Sequence, residues 1–181
     1  MKKIIICGDG QDSPVTKKLV SLCSRYGGAA VCGRNIFETC LFPEYLIVCT
    51  DSLSGVSCRN CVVILGEEPA GRADRLRDSI CVIDASHSRS VKFAEELGLP
   101  SVGCSVSGSD TLTLSSVSIE NDYCISLNRT LAVVGSGGRE RVVGAQEFIL
   151  RSSGDIYPTL AAAAALLLTG KASALRREPD R

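Results

Sequence analysis

The chain opens on Lys3-Ile4-Ile5-Ile6-Cys7, breaks at Gly8-Asp9-Gly10-Gln11-Asp12-Ser13 and resumes at Pro14. Ser13 is a good helix N-cap, and Pro14 fits the first helical position. Val15, Leu19, Leu22, Cys23 and Tyr26 then recur at helical spacing, with Lys17 and Lys18 on the other side and Gly27-Gly28 as the stop. Strand, glycine turn and helix in this order form the frame of a nucleotide site. Glycines admit phosphate oxygens to backbone N–H groups, and a lysine neutralises the β/γ charge. Here the turn holds Asp9 and Asp12 and no lysine. Gly8, Gly10, Ser13 and Thr16 are the candidate remnants of a phosphate loop, while the carboxylates oppose a triphosphate. The competing reading is a tight turn with a capped helix and no ligand.

Further apolar runs follow at 29–31, 45–49, 61–65 and 80–83, and another short strand at 100–104. None alternates with polar residues, which is the pattern of parallel strands buried on both faces. Ser90 to Leu97 reads as a helix ended by Gly98 and Pro100. The first part of the chain is therefore α/β, a mostly parallel sheet with flanking helices in three layers. Residues 111–150 change texture. Thr111 to Ile119 alternates in its first half, and Asp122 to Val134 and Val142 to Leu150 also read as strands, the pattern of a small antiparallel β-meander. Thr159 to Thr169 is apolar on every side and too short to span a bilayer, so a buried packing helix is expected. Residues 1–170 form one domain in this reading, and 171–181 a polar tail.

Formal net charge is zero, with 20 basic and 20 acidic residues, so no basic excess points to nucleic acid. The basic stretch Arg72 to Arg77 is expected to be a solvated helix face or loop. Met1-Lys2-Lys3 runs straight into a short strand without signal-peptide features. Five of the ten cysteines, Cys7, Cys49, Cys81, Cys104 and Cys124, sit within apolar runs. They read as small buried hydrophobes in a reduced cytoplasm. Cys58-Arg-Asn-Cys61 is a CxxC with no second pair, and His87 is the single histidine. No metal site is expected, and the two cysteines read as incidental loop residues. His87, in Asp84-Ala-Ser-His-Ser-Arg89, reads as a solvent-facing loop residue. A base paired with Ser86 or Ser88 is the competing reading.

The order of elements resembles the central, ATP-binding domain of the Mur ligases and their folylpolyglutamate relatives. Ile4 to Ser13 occupies the place of the family's Gly-Thr-Asn-Gly-Lys-Thr-type loop. Tyr45 to Ser52 resembles the strand with its glutamate-serine motif. Cys81 to Asp84 with the Ser90 helix resembles the strand, acidic turn and helix that follow. The late strands and the Leu160 to Thr169 helix resemble the end of that domain. The resemblance implies a scaffold that makes an acyl phosphate from ATP and then admits an amine. The departures fall on the residues for that chemistry. Asp12 stands at or near the lysine position and Gln11 at the preceding glycine. Cys49 or Thr50 stands near the glutamate. Gly66-Glu67-Glu68-Pro69 replaces an Asp-His pair, and Asp155 and Ile156 stand near a His-Asn. The flanking substrate domains have no counterpart. A degenerate, non-catalytic member is the expected reading, with no ATP or magnesium bound, a protein partner in place of a substrate, and no nucleic-acid or membrane association.

A second glycine turn, Gly135-Ser-Gly-Gly-Arg-Glu140, resembles the opening of phosphoribosylamine–glycine ligases. Gly135, Gly137, Gly138 and Arg139 are its candidate ligands if Val142 to Leu150 is a helix. The alternation before it favours a hairpin, with Arg139 and Arg141 at a solvated end. The competing function is a small nucleotide- or phosphometabolite-dependent enzyme with an atypical loop.

Overall fold

Successive side chains of the opening strand are buried on opposite faces, and that double burial dictates a layered architecture. In the computed structural model, which describes residues 1–118, 122–134, 140–151 and 154–175, the strand β1 (Lys2–Cys7) sends Ile4 and Ile6 into one apolar cluster and Ile5 and Cys7 into another. A strand without a polar face must lie inside a sheet covered on both sides.

In chain order the other strands are β2 (Ala29–Cys32), β3 (Ile36–Glu38), β4 (Tyr45–Thr50), β5 (Cys58–Arg59), β6 (Cys61–Leu65), β7 (Leu76–Arg77), β8 (Ile80–Asp84), β9 (Ser101–Ser105), β10 (Leu112–Val117), β11 (Asp122–Leu127), β12 (Leu131–Val134), β13 (Glu140–Val143) and β14 (Gln146–Arg151). Ten of them form one sheet in the order β14-β11-β10-β9-β8-β6-β1-β4-β2-β3. Ile5 lies opposite both Val48 and Val63 at its centre. Strands β2, β4, β1, β6, β8, β9 and β10 are mutually parallel, whereas β3, at one edge, and β11 run against their neighbours. From β1 the chain moves out to β2 and β3, returns to β4 beside β1, then crosses to β6 on β1's other flank. That reversal puts a crevice at the C-terminal end of β1, the usual ligand position of open α/β sheets.

Helices α1 (Pro14–Arg25) and α3 (Ile156–Leu168) share one face of the sheet. Helix α2 (Ser88–Leu97) covers the other with Leu53 and Leu76. Every residue of α3 from Pro158 to Leu168 is buried. Its alanines let the backbone approach the strands closely, and its leucines fill the gaps. Thr159 sits in this apolar helix by donating its hydroxyl to the Asp155 carbonyl, at 3.1 Å.

The α/β, mostly parallel reading and the buried C-terminal helix are what the chain forms. The late strands differ in placement. Strands β10, β11 and β14 form the expected antiparallel run and join it to the main sheet, because β10 pairs in parallel with β9. Only β12 and β13 stand apart as an antiparallel ribbon, with Leu131 and Val133 buried under α3's cluster. The expected polar tail begins inside the fold. Lys171 pairs with Glu44 at 3.0 Å, and Leu175, in a short 3-10 turn (Ala172–Leu175), is buried. Among the described residues no helix is long and apolar enough to cross a membrane.

Truncating Leu167, which is fully buried, to alanine should cost about 2–5 kcal/mol. Urea unfolding followed by circular dichroism measures it; a loss below 1 kcal/mol would mean α3 is not the packed centre described.

Candidate functional site

The turn after β1 is built by sterics before any ligand enters. Gly8 has φ +84°, and a Cβ on it would run into the Glu68 carbonyl carbon and the Pro69 nitrogen. Only glycine meets both conditions. The segment after β6 thus lies directly on the turn, held by Gly66 N–H to the Cys7 carbonyl at 2.8 Å. Gly10 has open space around it, and its carbonyl accepts from Ser13 N–H at 3.0 Å and from the Thr16 hydroxyl at 3.2 Å. Ser13 caps α1 by accepting from Thr16 N–H at 3.2 Å. The Gln11 amide clamps Asn35 in both directions, donating to its carbonyl at 3.0 Å and accepting from its N–H at 2.9 Å. The candidate residues Gly8, Gly10, Ser13 and Thr16 therefore stand together in one turn, with both hydroxyls committed to its internal bonds.

Asp9 points across the turn onto Gly66, where a Cβ would collide with its carboxylate. It accepts from the Glu67 N–H at 3.1 Å. Burial holds the Asp9 carboxyl above its ordinary value; the bond from Glu67 N–H opposes this, and the Glu67 charge adds to it. Asp12 is exposed.

Beside the turn lies a cleft of about 700 Å³, bounded by the Gly66–Glu68 segment and the starts of α1, α2 and α3. Its carboxylates are Asp9, Glu67, Glu68, Asp84 and Asp155; its cations are Arg89 and, when protonated, His87. Arg89 meets Glu68 at 3.5 Å, with both side chains exposed, so the pair neutralises little of the acidic field. Helix N-termini carry partial positive charge, and Ser13, His87 and Asp155 are the three N-cap residues. Asp84 accepts from Ser86 N–H at 2.9 Å and from its hydroxyl at 2.5 Å, so the loop before α2 also carries its own anion. Among the described residues, no three His, Cys, Asp or Glu side chains converge closely enough to hold a metal ion.

His87 departs from the solvent-facing reading. It is the half-buried N-cap residue of α2, with Nδ1 3.1 Å from the Ser90 hydroxyl. Ser90, fully buried, donates to the Gly66 carbonyl at 3.3 Å. That spends the Ser90 proton and leaves His87 Nδ1–H as the donor between them. Ser86 turns to Asp84 instead, so neither neighbouring serine forms the base pair considered from sequence. Cys58 and Cys61 are strand residues rather than loop residues. Cys61 opens β6 and lies 3.1 Å from the Ser79 hydroxyl, and burial pushes its thiol up to about 11. All ten cysteines are free thiols. Cys7, Cys81 and Cys104 are fully buried, and burial drives the Cys81 thiol up to about 12; Cys49 and Cys124 are half-buried.

The second candidate loop, Gly135, Gly137, Gly138 and Arg139, lies outside the described residues. Its flanks pair as strands, Leu131 opposite Val143, and Gln146 to Arg151 is a strand as well. The helix that a phosphate loop there would need is therefore not formed.

Sequence reasoning missed the residues that close the cleft from the far side. Tyr157, at the start of α3, donates its hydroxyl to the Leu65 carbonyl at 2.6 Å, across 92 positions of sequence. Burial raises its phenol well above the ordinary value. The available signal was a tyrosine on the first turn of an otherwise apolar helix, a place where a buried hydroxyl needs a partner.

No family model and no curated protein matches the sequence. Solved structures do. MurF from Acinetobacter baumannii superposes with a TM-score of 0.58 at 9% identity, covering 100% of this chain and 46% of that one. A UDP-N-acetylmuramoyl-L-alanyl-D-glutamate–2,6-diaminopimelate ligase gives 0.58 at 12% identity, over 94% and 44%. The murein peptide ligase Mpl from Psychrobacter arcticus gives 0.54 at 12%, over 96% and 46%. The fold is thus Mur-ligase-like, and the chain spans under half the length of these ligases.

Folded Asp9 holds its proton more tightly than the unfolded chain does. Its contribution to stability is therefore present at low pH and lost as pH rises through the folded value. Asp9→Asn, which keeps an acceptor for Glu67 N–H, should raise Tm at neutral pH, and the gain should vanish below the ordinary carboxylate range. Differential scanning calorimetry across that range checks it; an equal effect at every pH would contradict the assignment.

Proposed function

We propose that this chain is a non-catalytic scaffold of the Mur-ligase central-domain type, acting as a binding or protein-interaction module rather than as an amide ligase. The Asp9 carboxylate, seated on Gly66 and bonded to Glu67 N–H, carries this reading. It lies over the turn where the ligases' resemblance would seat phosphate. An anion brought there meets Asp9 and four further carboxylates. A phosphoryl-transfer site works by preorganised positive charge, and removing one stabilising donor from such a site typically costs about 3–4 kcal/mol of transition-state stabilisation. Here the local field has the opposite sign, which disfavours a triphosphate, and among the described residues no three carboxylates converge to hold magnesium. The free thiols suit a reduced, cytoplasmic setting.

Titration calorimetry with ATP, ADP and magnesium is the test. The expected result is no measurable nucleotide binding by the natural protein. Magnesium-dependent ATP binding would favour instead the small nucleotide- or phosphometabolite-dependent enzyme.

A further inference from the structure

The Cys58-Arg-Asn-Cys61 segment brings both of its thiols to one side of the sheet. In an extended strand, positions three apart face opposite sides. Here Cys61 is buried in the apolar cluster under α2, and Cys58 packs against the same cluster. The cause is Asn60, whose backbone is left-handed at φ +52°. Fully extended, the stretch would hold the two Cα atoms roughly 10 Å apart, beyond the about 4.4–6.8 Å that a disulfide spans. The left-handed residue bends it back. The neighbouring strand bends at the same level, at Asp78 with φ +51°. Among the described residues, Asn60 and Asp78 are the two non-glycine residues with a left-handed backbone. The bends are tied together: Asn60 N–H donates to the Arg77 carbonyl at 3.0 Å, and Cys61 N–H to the Ser79 hydroxyl at 3.4 Å. Such conformations are sparsely populated and persist only where the surrounding structure holds them. This corner opens on a cavity of about 1150 Å³ whose walls include Lys3, Asn60, Cys61, Asp78 and Ser79. Cys61 is the first residue of β6, so the cavity lies at the opposite end of the strands from the acidic cleft.

The two thiols are inequivalent. Cys58 is half-buried, whereas Cys61 is 3% exposed. The Ser79 hydroxyl donates to the Arg77 carbonyl at 2.9 Å, so at its 3.1 Å contact with Cys61 it accepts the S–H proton. We propose that Cys58 and Cys61 are a redox-active dithiol that exchanges with small-molecule disulfides, Cys58 attacking and Cys61 resolving. The Cys58 thiolate attacks one sulfur of the incoming disulfide and expels the other as a thiolate. Cys61 then gives up its proton and attacks the Cys58 sulfur, expelling the second thiolate. The two expelled thiolates take up the protons that the cysteines release. One protein dithiol is oxidised to a disulfide, and one small-molecule disulfide is reduced to two thiols. In the mixed disulfide Cys58 carries no charge, which removes the repulsion it exerts on a Cys61 thiolate, and Lys3 favours that thiolate. In a reduced compartment such a pair is transient and catalytic or redox-sensing rather than structural. This inference is independent of whether the acidic cleft binds a ligand.

Incubation of the folded protein with oxidised glutathione tests it, read by acid quenching and mass spectrometry of the intact chain and its peptides. The natural protein should lose the mass of two hydrogens, with the disulfide between Cys58 and Cys61. Trypsin cuts after Arg59, so the oxidised pair appears as two joined peptides. Reduced glutathione should reverse the change. Cys61→Ser should stop with one glutathione held on Cys58, and Cys58→Ser should leave Cys61 unmodified. Circular dichroism checks that both variants fold, and the natural protein's own disulfide does not depend on them. A natural protein that keeps glutathione on Cys58 without closing the disulfide would overturn the proposal. So would one that joins Cys61 to Cys81 instead, or one whose Cys58 and Cys61 stay thiols while the exposed Cys40 reacts. A Cys58→Ser variant whose Cys61 takes up glutathione as fast as natural Cys58 would contradict the assigned roles.

Discussion

Burial of α3 on every side is the constraint from which the rest of the molecule is positioned. A helix with no polar stripe can only exist between other layers. Helix α3 lies on the sheet beside α1, with β12 of the antiparallel ribbon packed against it. Its first turn therefore arrives at the C-terminal ends of the strands, where Tyr157 ties it to the last residue of β6. The same residues that complete the core close one wall of the cleft. Packing and site are one construction here, and a change in α3 is felt at both.

The cleft collects the starts of three helices, a field that favours anions. In a nucleotide enzyme the ligand supplies the negative charge. This chain supplies its own, through Asp9, Asp84, Asp155 and the Glu67-Glu68 pair. The geometry of the turn is equally committed: Gly8 lies against Glu68 and Pro69, Ser13 and Thr16 serve the cap, and Gln11 is locked to Asn35. The polar groups of the turn are thus satisfied internally. The fold is Mur-ligase-like at 9–12% identity.

The fold was largely legible because its strongest signals are local. Strands buried on both faces read as unbroken apolar runs, Ser13-Pro14 announces a helix start, and the alanine-leucine run admits only a buried helix. What depended on distant partners was not legible. Nothing near Leu112 says that β10 pairs in parallel with Cys104 and Ser105, so the joining of the late antiparallel strands to the main sheet was not readable. Strand β3 is three residues long, too short for periodicity to reveal. The sign of the charge in the turn was readable from Asp9 and Asp12. That Asp9 alone turns inward, onto an amide 58 positions away, was not. His87 carried a usable signal in its spacing three residues before Ser90, which brings the two side chains together across the first turn of α2, but proximity to Ser86 and Ser88 drew attention instead.

The central claim is that Asp9 closes the turn by bonding the Glu67 amide. Its most direct measurement is a pH titration by NMR of the Asp9 carboxyl carbon and the Glu67 amide proton, repeated with ATP and magnesium. The account predicts that both signals move together, at a pH above the ordinary aspartate value, and that nucleotide leaves them unchanged. An Asp9 that titrates as a solvated carboxylate while the Glu67 amide stays still, or a Glu67 amide that shifts on adding ATP, would contradict it.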